Sequence, residues 1–551
     1  MKRLDLLMAT AVFITIVAFG LVASAAYEHA GADAKDAQNF LNVYPKMKGT
    51  KLDHCALCHS GGSVTSSRGA KVSTTKYGSC QWCHYKYGYN TPHGDIAATL
   101  NPYGRDYLAR GRNESALRGI AEKDSDGDRF TNIAEINAVR YPGDRDDDPS
   151  KVVAPFRIYT KSQLQAMPQH KQFMLMNTNK SGDYYAEYSG VKMSDLLKGA
   201  RIAANATKIT VYAPDGYSQE HPIEDSSSNS GSSYVPYVNG AYPVATYYYN
   251  KEADRAINTK YGWCDYSSPG NAGRKHGDSI SVDGGLWLIL ALQADGKELL
   301  PAKLGSDNKL LVRGEGPFRV VAPQKFVNAP DQVSTPGANQ NVIWPYVADW
   351  DHNAGPSSKS ATIIKVEPLP AGTTDINVLE AGWKYIDQEK IVIYGALEQM
   401  APLSPENGAT NVKRAFGKVT LTWKKSLGAD SEKDLTYTVE IKDAGTDRWK
   451  VASVAKPENR FLDGTGRLLC FGIFGMIAAA VPRRSRKRTV VILLIAVTGA
   501  IISFSGGSSA ASTTLSRSLD VAANTTYSWR VTADGPASHD VTPVYTFTTG
   551  E

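Results

Sequence analysis

The stretches CALCH at Cys55–His59 and CQWCH at Cys80–His84 decide how the amino-terminal part of this 551-residue chain is interpreted. In each stretch a C-x-x-C pair is followed directly by histidine, so on a helical turn the three side chains share one face. This spacing is typical of covalent haem attachment, in which the thiols add to the vinyl groups and histidine binds the iron. A Cys2His2 zinc site would place its histidines roughly 12 or more residues further on. We therefore expect two haem c groups, held by Cys55, Cys58, His59, Cys80, Cys83 and His84.

The second axial ligand of each iron is a separate question. His54 and His93 are the candidates closest to the two motifs, with His29 and Met47 as alternatives. Two histidines on one iron would close it to substrates and favour electron transfer over oxygen chemistry. Sequence spacing does not fix distal ligands, so the reading of these histidines as ordinary loop residues stays open.

The amino terminus has the pattern of an export signal. Lys2 and Arg3 precede an apolar run, Leu6–Val22, and Ala23–Ala25 offers an A-x-A-like cleavage site. We expect residues 1–26 to act as a signal peptide, or as an anchor if uncut, and residues 27–150 to form the haem module. The chain is then exported to the periplasm or faces outward, where haem c is attached.

The segment DSDGDRFTNIAE follows the haem motifs and matches the spacing of an EF-hand loop. Hard oxygen ligands at this spacing suit calcium. Arg129 stands where the loop ordinarily has glycine, and the alternative is an acidic, solvated turn. The acidic run Asp144–Asp148 is interpreted as a linker to the next domain. The predicted calcium ligands are Asp124, Asp126, Asp128, the Phe130 carbonyl, Asn132 and Glu135.

The formal charge of +6 has two sources: the five cations of PRRSRKR at 482–488, and a net charge of +1 in the signal peptide. The rest of the chain is therefore neutral overall. No nucleic-acid partner is expected. Two apolar stretches, Leu468–Val481 and Val490–Phe504, flank that basic run, which predicts a membrane hairpin over 468–504 with the cations in the cytoplasm. Each stretch is shorter than the roughly 20 residues that span a bilayer. A buried helical pair and a sorting tail are the alternatives.

The hairpin interrupts a segment of alternating strands. KVTLTWKKS and LTYTVEIKD precede it, and NTTYSWRVTADG and VTPVYTFTT follow it. The segment 401–551 resembles a fibronectin type III domain. The resemblance implies an all-β sandwich with Trp423 in its core and Tyr527 at a tyrosine corner, interrupted by the apolar hairpin, with no catalytic residues.

The middle segment, residues 151–400, resembles the molybdopterin-binding domain of sulfite-oxidase-like enzymes, which implies an α+β fold. The resemblance rests on the order of YSGVKMSDLLKGA at Tyr188–Ala200, KITVYAPDGYSQEHPI at Lys208–Ile223 and GEGPFRVVAPQ at Gly314–Gln324. In those enzymes a cysteine thiolate binds molybdenum, but the matching stretch Lys171–Asn179 has none and Cys264 lies elsewhere. Molybdopterin is therefore not expected.

The haem motifs, the DSDGD loop and GEGPFR occur together in one order. Over about residues 1–400 the combination resembles bacterial exported dihaem proteins named for the GEGP motif, which implies a respiratory cytochrome without assigned catalytic residues. We expect a multidomain chain with an α-helical dihaem module, and a membrane-tethered electron carrier whose partners are other cytochromes or redox proteins. The alternatives are a haem-linked molybdenum oxidoreductase of the sulfite-oxidase type and a cell-surface binding scaffold.

Overall fold

A computed structural model describes residues 34–60, 63–65, 71–73, 99–178, 183–213, 218–225, 236–240, 242, 245–247, 264–275, 277–304, 310–312, 314–324, 353–378, 383–428, 430–446, 448–455 and 514–551. The chain divides into two compact units, Met1–Glu398 and Gln399–Glu551. The predicted signal peptide, the second haem motif, His93 and the predicted hairpin at 468–504 lie outside the described residues. Among the helices that are described, none is long and apolar enough to cross a membrane.

The amino-terminal part of the first unit consists of short helices around one apolar core. Leu52, Tyr103, Leu117, Ile120 and Ile136 are its most buried members. Its helices and strands are α1 (Ala34–Val43), α2 (Ala56–His59), β1 (Ser63–Thr65), β2 (Lys71–Ser73), α3 (Pro102–Ala109), α4 (Glu114–Gly119) and α5 (Asn132–Asn137).

The rest of the first unit is built on β-sheets. Its elements are β3 (Val152–Val153), β4 (Phe156–Thr160), α6 (Lys161–Ala166), β5 (Gln169–Met176), β6 (Tyr184–Lys192), α7 (Met193–Ala200), β7 (Lys208–Tyr212), β8 (Ser218–Pro222), β9 (Ala245–Tyr247), β10 (Ser279–Ser281), β11 (Ile289–Ala294), β12 (Lys297–Glu298), β13 (Lys303–Leu304), β14 (Leu310–Val312), β15 (Arg319–Val321), β16 (Ile363–Glu367), β17 (Thr373–Thr374), α8 (Trp383–Asp387) and β18 (Lys390–Gly395).

Two sheets and α7 share the largest core of this unit. One sheet has the order β12–β11–β6–β5, with β15 also paired to β11. In the other, β18 lies parallel to β16 and antiparallel to β4, and β7 joins β16 to β8. The apolar face of α7, Met193, Leu196, Leu197 and Ala200, is fully buried in this core. That pattern of i, i+3, i+4 and i+7 is the expected buried stripe of an amphipathic helix.

The predicted fold class is wrong for the haem module, because the described chain is mostly β-structure and contains no helical dihaem module. The described residues form 27 strands but only eight α-helices, the longest of 10 residues. Three of these short helices begin at a side-chain cap. Asn101, Asn113 and Thr131 each accept a backbone N–H at a helix start. The helices that follow end after eight, six and six residues, so none extends across the region.

The second unit has two sheets that share one core. The first sheet has the order β19 (Pro402–Ser404), β21 (Lys418–Lys424) and β24 (Thr514–Asp520). The second contains β20 (Ala409–Val412), β22 (Thr436–Asp443), β23 (Lys450–Ala455), β25 (Thr526–Asp534), β26 (Ser538–Val541) and β27 (Tyr545–Thr549). Trp423 from one sheet and Trp529 from the other are buried in the shared core. The Tyr527 hydroxyl accepts a hydrogen bond from the Ala522 backbone N–H at 2.8 Å.

A strained turn joins β20 to β21 in this unit. Phe416 and Gly417 have φ of +53° and +79°, and two backbone hydrogen bonds link Ala415 and Lys418 at 2.9 and 3.0 Å. Two positive φ values define a type I′ turn, which strongly favours Asn-Gly. The side chain of Phe416 is also fully exposed, so it gains no packing energy.

Replacing Phe416 by asparagine is therefore expected to raise the free energy of unfolding by about 1 kcal/mol, because asparagine tolerates the left-handed conformation. Urea unfolding followed by tryptophan fluorescence measures the change. Leu300→Asn is the control, since Leu300 is also exposed but is not among the residues with positive φ. An equal effect of both substitutions would show that exposure, not backbone strain, is responsible.

Candidate functional site

The first haem motif forms a single helical turn. Cys55 is the N-cap residue of α2 and Cys58 stands three residues on, a spacing that puts two side chains on one side of a helical turn. Ala56 and Leu57, between them, are buried in the core of the region. Burial raises the pKa of the Cys58 thiol to about 12, so it stays in the neutral S–H form at neutral pH. Cys55, Cys58 and His59 thus lie within one short turn of the chain.

His59 is oriented by a hydrogen bond from its imidazole to a hydroxyl. Its Nδ1 and the Thr99 Oγ1 are 2.8 Å apart, and both residues are buried. In the tautomer that protonates Nδ1, this nitrogen donates to Thr99 and Nε2 carries the lone pair that a metal takes. Such a partner fixes the tautomer and ring orientation of a ligating histidine. The donor set of two thiols and one oriented imidazole therefore fits a covalently attached haem.

Asn101, the residue that precedes α3, forms hydrogen bonds with the turn of α2. Its side-chain amide donates to the Leu57 carbonyl at 3.0 Å and to the Ser60 carbonyl at 2.7 Å. Its side-chain oxygen accepts from the Gly104 N–H, capping α3. Asn101 is completely buried, so these bonds are shielded from water and restrain both ends of α2.

The remaining predicted haem residues divide into two groups. His54 is buried, and its Nδ1 accepts a hydrogen bond from the Ala56 N–H at 3.2 Å, so it caps the same turn that carries Cys55. Cys80, Cys83, His84 and His93 lie outside the described residues. The structure therefore brings together one complete attachment motif.

The acidic loop, Asp124–Glu135, gathers three carboxylates. Oxygen atoms of Asp124, Asp126 and Asp128 lie within 4.8 Å of one another. Both Asp124 oxygens accept hydrogen bonds from loop N–H groups, whereas one oxygen of Asp126 and one of Asp128 are buried without a hydrogen-bond partner. Arg129, where an EF-hand has glycine, adopts a φ of +86°, the left-handed conformation that this loop position requires.

Glu135 and Asn132 occupy different positions relative to this cluster. Glu135 is completely buried, and both carboxylate oxygens lack a hydrogen-bond donor. The Asn132 amide instead donates to the Ile120 carbonyl at 2.7 Å, and its oxygen accepts from the Ser125 N–H at 3.3 Å. Asn132 therefore holds the loop closed, while Glu135 is the further carboxylate available to an ion.

The buried carboxylates predict an unusual pH dependence for the metal-free protein. Burial, then the neighbouring Asp128, raises the pKa of Asp126 from 3.8 to about 7. Burial, then Asp126 and Asp128, raises the pKa of Glu135 from 4.5 to about 10. Between its ordinary pKa and its raised pKa, each group binds more protons in the folded state than in the unfolded state. The stability of the metal-free fold is therefore highest at low pH and falls as the pH rises through these ranges.

We expect the stability of the wild type in EDTA to fall between about pH 5 and about pH 8. The stability of a Glu135→Gln variant should fall less, because the glutamine side chain cannot ionise. Thermal unfolding at the two pH values measures the difference. Parallel pH profiles for the two proteins would contradict this assignment.

The GEGPFR motif builds an internal ion pair. Arg319 Nη1 lies 2.6 Å from a Glu315 oxygen and 2.7 Å from the Tyr188 hydroxyl, and also contacts Tyr184. Burial alone would raise the pKa of Glu315, but Arg319 and Lys359 lower it below its usual value.

The glycines of the same motif allow close backbone contact. The Gly316 N–H donates to the Leu300 carbonyl at 2.8 Å, and a Cβ on Gly316 would lie 2.3 Å from the Leu299 carbonyl oxygen. The motif leads directly into β15, so its described contacts are structural.

Cys264 lies in an apolar cluster of the middle region. It is buried beside Phe173 and Leu175 of β5, together with Tyr185 and Ile280. Its thiol lies 3.8 Å from the Asp265 carbonyl oxygen. Within the described ranges, the three aspartates of the acidic loop form the only group of at least three His, Cys, Asp or Glu residues placed to hold a metal.

Thr99 and Asn101 were not identified from the sequence. Thr99 carries no motif and lies 40 residues beyond His59, so only the folded chain brings them together. For Asn101 a signal exists, because Asn before Pro is a typical helix start. That signal predicts the cap of α3 but not the contact with α2.

No protein-family model matches this chain, and no curated protein does. Solved structures show weak likeness, and three of them serve as examples. The sensor domain of the anti-sigma factor RsgI4 in Pseudobacteroides cellulosolvens has 12% identity and a TM-score of 0.13, covering 28% of this chain and 93% of that one.

The sulfane dehydrogenase SoxCD from Paracoccus pantotrophus has 11% identity and a TM-score of 0.18, covering 69% of this chain and 64% of its own length. Domains A168–A170 of titin have 13% identity and a TM-score of 0.14, covering 70% of this chain and all of the titin segment. At such TM-scores these likenesses carry no argument about function.

Proposed function

We propose that this chain is an exported carrier of single electrons that holds haem c at both C-x-x-C-H motifs and exchanges electrons with other cytochromes or redox proteins. The observation that carries the proposal is the geometry of the first motif. Cys55 and Cys58 lie on one side of a helical turn, and His59 is held by a 2.8 Å hydrogen bond to Thr99. The motif order that resembles exported dihaem proteins supports the same function.

Each residue of the first motif has a distinct role in this proposal. Cys55 and Cys58 would hold the porphyrin through thioether bonds, each formed when S–H adds across a vinyl group. His59 Nε2 would bind the iron, and Thr99 would keep the imidazole in the required orientation. When bound, haem supplies a reversible one-electron couple. Asn101 would restrain the turn so that thiols and imidazole keep their relative positions.

The membrane tether and the second haem group enter the proposal as sequence predictions. The tether depends on the apolar stretches at 468–504 and the second haem on Cys80, Cys83 and His84. Both lie outside the described residues.

Elemental analysis tests the proposal. The full chain is produced with haem maturation, extracted in detergent, and analysed for iron and molybdenum per chain, with a redox titration of the visible spectrum. Two irons, no molybdenum and reversible one-electron steps are the expected result. One molybdenum per chain would favour the oxidoreductase alternative, and a chain without covalent haem would contradict the proposal.

A further inference from the structure

The acidic loop, Asp124–Glu135, holds carboxylates without hydrogen-bond donors, and side-chain contacts connect it to α2. We propose that Asp124, Asp126, Asp128 and the buried Glu135 bind one Ca²⁺, and that the acidic run Asp144–Asp148 links this ion to α2. The ion site is independent of the electron-transfer proposal, whereas the link to haem rests on it.

The argument for an ion begins with uncompensated negative charge. Glu135 is completely buried, both of its oxygens lack a donor, and buried oxygens of Asp126 and Asp128 are also without one. Within the described part of the chain none of these three carboxylates forms a salt bridge. Buried carboxylates are ordinarily paired or bound to a metal. An acidic, solvated turn would leave Glu135 exposed, which it is not.

The chemistry of the donors selects the kind of ion. All the candidate ligands are carboxylate oxygens, which suit hard cations rather than the soft metals that prefer sulfur or imidazole. Ca²⁺ accepts six to eight oxygens in flexible geometry, as a loop with three aspartates and a glutamate can offer. Mg²⁺ requires a stricter octahedron and keeps several waters, so it is expected to bind more weakly.

The acidic run connects the loop to the haem-attachment turn through side-chain contacts at both ends. Arg145 donates to the Gly127 carbonyl of the loop at 2.9 Å. Its neighbour Asp144 accepts from the Ser60 hydroxyl at 2.8 Å, and Ser60 directly follows His59. Asp147 forms a salt bridge with Lys51 at 2.5 Å, and both side chains are buried. The run is therefore a strap, not the linker that its composition suggests.

The strap also lies against the residue that restrains α2. A Cβ on Gly143 would come within 2.4 Å of the Asn101 side chain, so the backbone at 143 packs directly on that amide. Asn101 in turn donates to Leu57 and Ser60. A movement of Gly127 on ion release would therefore displace Arg145 and its neighbours Asp144 and Gly143. Asp144 bonds Ser60 and Gly143 packs on Asn101, so the displacement would reach α2 by two contacts.

Calcium binding by the EDTA-treated, haem-loaded full chain tests the site. Isothermal titration with CaCl₂ is expected to give one ion per chain. Glu135→Gln and Asp126→Asn should each weaken binding at least tenfold, and using two variants keeps the test valid if one fails to fold. Glu114→Gln, an exposed helical glutamate paired with Arg118, is the matched control and should bind as wild type. No calcium binding by the wild type would overturn the site.

The link is tested by comparing oxidised and reduced protein. Calcium should bind about fivefold tighter to the reduced form than to the oxidised form, which is at the low end of the usual range of coupling between sites. By the same linkage, the haem potential at saturating calcium should be about 40 mV higher than without calcium. Arg145→Gln should keep one calcium and lose most of this difference, whereas Arg105→Gln, an exposed arginine on α3, should keep it. Equal affinity in both redox states overturns the link alone. Absence of haem overturns the proposed function and the link with it, and leaves the calcium site standing.

Discussion

Replacing His59 by alanine is expected to abolish the low-spin visible spectrum of one haem while leaving that haem covalently attached. In the proposed function Cys55 and Cys58 carry the attachment, and the substitution leaves both cysteines in place. Removing the only side chain of the motif that binds iron leaves the iron to water or to a weaker ligand. Absorption spectra of the reduced protein report the spin state, and haem staining on a denaturing gel reports the attachment.

Thr99→Val is the matched variant for this experiment. It keeps His59 but removes the hydroxyl that lies 2.8 Å from its Nδ1. We expect the low-spin spectrum to persist and the haem potential to shift, because the hydrogen bond sets the basicity of the ligating ring. An unchanged spectrum in His59→Ala would show that this histidine is not the iron ligand.

The sequence predicted local chemistry better than architecture. Short motifs such as C-x-x-C-H and DSDGD fix residues that are close along the chain, and in the structure the three aspartates of the acidic loop do lie together. The run NPYGRDYLARG does form a helix, but that helix ends after eight residues, and such short helices do not make up a helical module. Strand pairing in the middle region depends on partners far apart in the chain, such as Phe156 of β4 with Tyr394 of β18 and Lys208 of β7 with Glu367 of β16, which no local pattern reveals.

Side-chain roles were predictable only where spacing alone determines them. Asn132 fits its position in the EF-hand pattern, yet its amide is used to close the loop. The acidic run resembles a linker in composition, yet Asp147 is buried with Lys51, which lies 96 residues earlier. In both cases the decisive contact comes from tertiary packing, so composition and spacing could not have indicated it.

Arg319→Leu is expected to lower the free energy of unfolding of the first unit by about 2–4 kcal/mol, because it removes a buried guanidinium that bonds two tyrosine hydroxyls and a carboxylate. The Arg319 side chain is 1% exposed, and its Nη1 contacts Glu315 and the hydroxyls of Tyr184 and Tyr188. Leucine cannot replace these contacts, so both hydroxyls would stay in the core with fewer partners. Glu315 retains Lys359 at 2.6 Å, so the tyrosine contacts and lost packing supply much of the effect.

Arg201→Leu is the control that isolates burial, since Arg201 contacts Glu398 at 2.6 Å with both side chains about half exposed. Solvent screens such a pair, so its loss should cost no more than about 1 kcal/mol. Tyr188→Phe removes one hydroxyl from the Arg319 network. Its loss of unfolding free energy should lie between those of the two arginine variants, because a single hydrogen bond contributes about 1 kcal/mol and burial adds to the loss. Urea unfolding of the full chain measures all three variants. Equal losses for Arg319→Leu and Arg201→Leu would mean that the GEGPFR ion pair is no more important to stability than a surface contact. The motif would then have to be explained by the close backbone approach of Gly316 to Leu299 alone.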